Sequence, residues 1–307
     1  MSGRSGRLVL ASLFESTLDL LWRQWRAIGA AATGQPVTRQ VDPEALCLAS
    51  LVFQDREPRL WIVMSDWIRL AAPLVSVQRL KNLAVQFPDV GKGVAALGRV
   101  AWQEGRDARW KRLAASPQRL APRTSPKQRS AGPALAAPPA LPLRLRAAFT
   151  VSVKADLLAF LLGQPYRVTV STAAVSLGYT VPTVFRSLQD LRAAGLVESA
   201  DLPSAAEYWV DAGKWYDLLG GERAIARWGF WRETLVYVCA VSALESRPEH
   251  RGASDYARAT AFRELASQHE AGLVRAGVIE RGVPRSPSLG DWREFHDALA
   301  ARIAALA

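Results

Sequence analysis

The side chains best suited to specific hydrogen bonding lie on one predicted helix, which begins after Thr180 and ends before Gly195. Its buried face repeats at the i, i+4, i+7 spacing of an amphipathic helix, through Val184, Leu188 and Leu191. Its opposite face carries four short or hydrogen-bonding side chains, Pro182, Thr183, Arg186 and Gln189. In the major groove of DNA, Arg pairs with guanine and Gln with adenine through two hydrogen bonds. The pattern therefore predicts a helix that reads base edges.

A shorter helix precedes this one across a tight turn. We expect Ser171 or Thr172 to cap the shorter helix, and Gly178 to end it after Leu177 in the left-handed conformation. Thr180 is then the N-cap of the longer helix. Two helices joined by a tight glycine turn are typical of the helix-turn-helix motif.

A small β-hairpin is predicted after the two helices. Residues 196–199 and 207–210 are β-rich, and residues 200–206 form the loop between them. An apolar helix at 152–162 and a short β-rich run at 167–170 precede the motif. Together these elements predict one winged helix-turn-helix module over residues 142–220.

Residues 155–211 of this module resemble the winged-helix regulators of the MarR and ArsR type. The resemblance rests on the strings at 169–174, 178–191 and 195–197. It implies that the second helix enters the major groove of double-stranded DNA. Side chains that contact bases are then Thr183, Arg186 and Gln189, and hydroxyl groups that contact phosphates are those of Thr172 and Thr180. On this basis we expect a sequence-specific transcriptional regulator that acts as a homodimer.

The charge distribution points to a second set of DNA contacts. The chain has 39 basic and 28 acidic side chains, a formal net charge of +11 that favours a polyanionic partner. Residues 148–220 nevertheless carry five basic and seven acidic side chains. Residues 116–141 are rich in proline and alanine, and we predict an extended basic linker there. Its basic side chains are expected to contact phosphates in a salt-dependent way: Arg119, Arg123, Lys127 and Arg129.

The alternative function is protein binding, because winged helices also serve as interaction modules. The predicted wing at 201–206 has an acidic and no basic side chain, whereas wings of the family usually carry Arg or Lys. A weaker resemblance covers residues 42–51, 58–61 and 143–149, which are similar to bacterial companions of nucleotidyltransferase toxins. That resemblance implies an antitoxin that binds a partner toxin and regulates its own operon.

The predicted fold class is mainly α with a small β-wing. A helical domain at 1–115 comes first, and a C-terminal helical region at 221–307 follows the module. Apolar periodicity predicts the helices of these two regions at 6–29, 45–53, 59–70, 75–87, 93–113, 222–245, 253–275 and 290–306.

The sequence lacks the patterns of an enzyme or a metalloprotein. None of the three histidines has a His or Cys at ligand spacing, and there is no nucleophile elbow or dinucleotide-binding glycine motif. We therefore expect no enzymatic activity, no metal and no cofactor. No uncharged apolar run is long enough to span a bilayer, and Cys47 and Cys239 lie in apolar runs typical of reduced, buried thiols. These features predict a cytoplasmic protein without a membrane partner.

Overall fold

A computed structural model describes residues 10–115, 132–200, 205–280, 282–286 and 288–306. These residues form mainly α-helices together with one small antiparallel sheet, which confirms the predicted mainly α class. None of the described helices combines the length and the apolar composition that crossing a bilayer requires.

The elements follow one another in three groups. The first group is α1 (Ala11–Ala27), α2 (Pro43–Phe53), α3 (Arg59–Ala71), α4 (Val77–Ala84), α5 (Gly91–Arg99) and α6 (Lys111–Ala114). The second is α7 (Leu141–Phe149), α8 (Val153–Leu162), β1 (Val168–Thr169), α9 (Val170–Leu177), α10 (Val181–Ala193), β2 (Glu198–Ala200), β3 (Glu207–Trp209) and α11 (Gly213–Leu219). The third is α12 (Trp231–Ser246), α13 (Pro248–Arg251), α14 (Asp255–Arg275) and α15 (Leu289–Leu306).

The first and third groups share one hydrophobic core, and we call them together the helical body. Helix α1 packs along α15, and α12 packs against both α2 and α14. Trp25 and Trp292, from opposite ends of the chain, are both completely buried in this core. Burial of such large rings makes a major contribution to the hydrophobic stabilisation of the body.

The second group, which we call the middle module (residues 141–219), forms a core of its own. Helices α8, α9 and α10 pack on one another and on the sheet. The strand order is β1-β3-β2, and β3 pairs antiparallel with both neighbours, with Val168 opposite Tyr208. Val168 and Tyr208 are buried, so the sheet contributes one face to this core.

The helix predicted over 93–113 is interrupted. A π-helical turn, Val100–Glu104, follows α5. A new short helical segment then starts beyond Asp107, whose carboxylate accepts a hydrogen bond from the backbone N–H of Arg109 (3.0 Å). This local cap competes with continuation of the helix, and apolar periodicity does not report it.

The described end of the predicted linker, residues 132–141, packs against the helical body instead of remaining extended. The backbone N–H of Val41 donates to the Pro139 carbonyl oxygen (2.9 Å), and residues Pro138–Ala140 form a 3-10 turn that leads into α7. The extended conformation predicted for these residues is therefore wrong. Pro138 and Pro139 occupy the first turn of a helical segment, where no backbone N–H is required.

The helix predicted from residue 222 begins at Trp231. Residues before it include a short 3-10 turn, and Trp228 forms an isolated parallel bridge with Gln40 of the helical body. The Gln40 side chain explains this arrangement, because its Nε2 donates to the carbonyl oxygens of Ala159 (2.9 Å) and Ala226 (2.8 Å). A buried amide with backbone partners on both sides fixes the path of the chain out of the middle module.

Candidate nucleic-acid interface

Helix α10 buries one face and exposes the other. Its apolar face is the predicted one, formed by the buried Val184, Leu188 and Leu191. Pro182 and Arg186 are exposed on the opposite side. The Arg186 Nε–H donates to the Pro182 carbonyl oxygen across 3.3 Å, a long bond that leaves most of the guanidinium open to solvent.

The other two predicted base-reading side chains are half-buried and have partners within the module. Gln189 donates through Nε2 to the Oη of Tyr208 (3.1 Å), which ties it to the sheet. The hydroxyl oxygen of Thr183 lies 2.8 Å from that of Thr180. Arg186 is therefore the exposed hydrogen-bonding member of the predicted base-reading set.

The two predicted phosphate-contacting threonines lie at the starts of α9 and α10. Thr169 caps α9, because its Oγ1 accepts from the backbone N–H of Thr172 (3.2 Å). The prediction that Ser171 or Thr172 is the cap is wrong, since β1 runs directly into α9 and brings Thr169 to that position. Thr180 does occupy the N-cap position of α10, although its side chain does not bond to the helix backbone.

The turn between α9 and α10 lies against the helical body. Arg79 of α4 donates through Nε to the Leu177 carbonyl oxygen (2.7 Å), and Arg232 of α12 donates through Nη2 to the Val175 carbonyl oxygen (2.5 Å). Both acceptors belong to the last turn of α9, where carbonyl groups lack helical partners and the helix dipole favours cations. The helical body therefore fixes the end of α9 from which α10 departs.

Gly178 is required at this turn for two reasons, and replacing it tests the contact with the body. Its φ is +72°, and a Cβ there would lie 2.5 Å from Leu83 Cδ2 and 2.9 Å from Arg232 Nη1. We expect Gly178→Ala to lower the free energy of unfolding by about 2 kcal/mol, measured by urea denaturation. Gly195→Ala is the matched control, because Gly195 has a φ of +71° with open space around it. The control should lose about 1 kcal/mol, and equal losses would rule out a role for the contact.

A buried ion cluster joins the middle module to the helical body, and it consists of Asp42, Glu44, Arg79, Arg146 and Asp156. Arg79 donates through Nη1 to Asp42 Oδ1 (2.5 Å) and to Glu44 Oε2 (2.6 Å). Arg146 donates through Nη1 to Glu44 Oε1 (2.6 Å) and through Nε to Asp156 Oδ1 (2.6 Å). Glu44 thus bridges two guanidinium groups that reach it from different parts of the chain.

The electrostatics keep Asp42, Arg79 and Arg146 of this cluster ionised at neutral pH. Burial disfavours the charge on Asp42, but the Arg79 guanidinium outweighs burial and holds the pKa of that carboxyl below its ordinary value. Burial likewise opposes the charges of Arg79 and Arg146, and the facing carboxylates nevertheless raise the pKa of both. The Asp42 pair therefore stabilises the fold above the ordinary pKa of an aspartate and is lost as the pH falls through its lower folded value.

Tyr179 extends the cluster into the turn. Its Oη donates to Asp156 Oδ2 (2.7 Å), and burial raises the pKa of Tyr179 above its ordinary value, so the phenol remains a donor at neutral pH. Because Tyr179 lies between Gly178 and Thr180, this bond holds the start of α10 in place. The sequence pattern does not predict this role for Tyr179, since its partner lies 23 positions away.

Arg167 is an exposed cation beside the sheet that the sequence did not single out. Its guanidinium carbon lies 4.0 Å from the centre of the Trp209 ring, a cation–π contact between the start of β1 and the end of β3. The contact follows from the strand register, which places Val168 opposite Tyr208. Residues that pair across strands can be found once the register is known, which the sequence alone does not supply.

The remaining charges of the module are partly neutralised in pairs. Lys154 Nζ lies 2.8 Å from Asp190 Oδ2, and Lys214 Nζ lies 2.9 Å from Glu198 Oε1.

The predicted phosphate contacts of the linker lie outside the described residues: Arg119, Arg123, Lys127 and Arg129. Within the described residues, no group of three or more His, Cys, Asp or Glu side chains is placed to hold a metal ion.

No protein-family model matches the chain, and comparisons with curated proteins and with solved structures found no significant match. Function is therefore inferred from α10, the elements around it and their charges.

Proposed function

We propose that the middle module is a winged helix-turn-helix and that the protein is a transcriptional regulator that binds double-stranded DNA in a sequence-specific manner. The proposal is supported by the order of its elements, helix, strand, two helices across a tight turn and two further strands. The antiparallel sheet in the order β1-β3-β2 places a hairpin beside α10.

The observation that carries the proposal is the outward face of α10. It exposes Arg186 in the first half of the helix, where recognition helices contact base edges. The guanidinium has donors to spare for guanine O6 and N7, the commonest specific contact in the major groove. The helical body holds the preceding turn through Arg79 and Arg232, so α10 is presented by a rigid support.

Selection from a pool of random duplexes tests the proposal with the full chain. We expect repeated rounds to enrich one sequence, and the enriched duplex to bind more tightly than its scrambled version at moderate salt. An inverted repeat in that sequence would indicate that two copies bind together. Equal and steeply salt-dependent affinity for all duplexes would contradict a sequence-specific regulator.

Replacing Arg186 tests the assigned contact. Arg186→Ala should weaken binding to the enriched duplex by about 1–3 kcal/mol and relax the preference at one base pair. Arg293→Ala removes an equal charge from an exposed position of α15 and is the matched control. A uniform loss of affinity across all sequences would instead assign Arg186 to a phosphate.

A second candidate function is protein binding, as in an antitoxin that holds a partner toxin. It is favoured by three exposed apolar side chains around the turn, Val175, Val181 and Phe185. Clusters of this kind are common at protein interfaces. Failure to enrich any duplex in the selection would favour this candidate over DNA binding.

A further inference from the structure

Two apolar side chains project from the outward face of α10. Val181 is 49% exposed and Phe185 is 47% exposed, although both stand on a helix that buries its other face completely. They are four positions apart, about one helical turn, so they form one apolar ridge beside Arg186. The amphipathic pattern does not account for the ridge, because Val184 and Leu188 already fill the core.

The charges around the ridge favour a polyanion as its occupant. Arg186 follows Phe185 directly. Arg192 lies seven positions after Phe185, about two helical turns further on, on the same side of α10 as Phe185. The acid nearest to them on this helix, Asp190, is paired with Lys154 at 2.8 Å. An apolar ridge flanked by exposed guanidinium groups is complementary to the major groove, where apolar and anionic groups lie side by side.

We propose that Phe185, together with Val181, contacts the 5-methyl group of thymine, so that these residues select for thymine in the DNA site. The inference rests on the proposed function of the middle module as a DNA-binding unit. Thymine is the one base that presents a methyl group in the major groove, and a phenyl ring is among the side chains that contact it. An exposed Phe on a recognition helix thereby becomes a specificity determinant.

Replacement of thymine by uracil tests the inference, because uracil lacks only the methyl group. The probe is the duplex enriched by the wild-type full chain, with each thymine replaced in turn by uracil. We expect one or two replacements to lower the affinity of the wild-type protein about fourfold each, the effect of losing one buried methyl contact. Phe185→Ala should bind the thymine and uracil duplexes with affinities within about twofold of each other.

Two further variants make the result interpretable. Phe185→Leu keeps an apolar side chain and should retain part of the preference for thymine. Tyr256→Ala removes an aromatic ring that is 66% exposed on the helical body, and it should keep the full preference. Circular dichroism checks that each variant is folded, which we expect because Phe185 is not part of the core.

The outcomes separate this inference from the proposed function. Equal affinity for the thymine and uracil duplexes at every position would overturn the inference while leaving sequence-specific DNA binding in place. An unchanged preference for thymine in Phe185→Ala would also overturn it, because another group would then contact the methyl. Failure to enrich any duplex would overturn both, and the ridge would then be assigned to a protein partner.

Discussion

Replacing Arg146 with alanine should lower the free energy of unfolding by about 3–5 kcal/mol, because the change leaves the buried Asp156 carboxylate without a counter-ion and leaves Glu44 with Arg79 alone. Arg146 bonds to both oxygens of Glu44 (2.6 and 3.0 Å) and to both oxygens of Asp156 (2.6 and 3.0 Å). It also donates to the Leu74 carbonyl oxygen (3.0 Å). Its fork of donors is therefore fully used in a site where the side chain is 1% exposed.

Urea denaturation followed by tryptophan fluorescence measures this loss. Arg146→Lys should recover only part of the stability, because an ammonium group has three donors and cannot match both carboxylates in the same plane. Lys154→Ala is the control, since it breaks an exposed pair with Asp190 and should cost less than about 1 kcal/mol. A loss for Arg146→Ala as small as that of the control would mean that the cluster does not hold the module to the body.

Acidification should destabilise the wild-type protein through His296, and His296→Gln should remove this part of the pH dependence. Burial lowers the pKa of His296 to about 3, from an ordinary value of 6.5. The neutral ring is favoured in the fold, so its contribution is complete above pH 6.5 and is lost as the pH falls towards 3. Between about pH 7 and pH 4.5 the wild type should therefore lose roughly 2–3 kcal/mol more than the variant.

The surroundings of His296 explain this shift. The ring is completely buried, its Nε2 lies 2.8 Å from the Oη of Tyr237, and aromatic side chains, among them Phe262 and Trp292, pack around it. Glutamine can keep a hydrogen bond to Tyr237 without titrating. Stability is measured by urea denaturation at several pH values, with His269→Gln, at a half-buried position, as the control. Identical pH dependence of the wild type and His296→Gln would contradict the prediction.

Local patterns predicted much of the secondary structure. The helix predicted over 45–53 is present as α2, and its start is set locally, because the Asp42 carboxylate accepts from the backbone N–H of Ala45 (3.1 Å). Gly178 adopts the left-handed conformation that was expected at the end of the shorter helix. Leu188 is buried, as the spacing of apolar residues in α10 predicts. These features depend on neighbours within a few positions, which the sequence displays directly.

Features that depend on distant residues were not predicted. Asp42 caps α2 locally, yet it also pairs with Arg79, 37 positions away. Arg146 lies in the segment 143–149, and its pairing with Glu44, 102 positions away, has no counterpart in the local sequence. Buried ion pairs of this kind have no period and no fixed spacing, so a single sequence does not report them. The exposed ridge at Phe185 has another origin, because apolar periodicity identifies the buried face of α10 and does not report whether an apolar residue beside that face is exposed.

The packing of α1 along α15 determines when the helical body can be completed during synthesis on the ribosome. Ser12 donates a hydrogen bond to Asp297, 285 positions later (2.5 Å), so the first helix waits for almost the whole described chain before it finds this partner. The elements of the middle module are contiguous, and domains generally fold as units while the chain emerges. We therefore expect the middle module to fold first and the early helices to expose apolar surface until α15 has been made, which makes them the part of the nascent chain most dependent on chaperones.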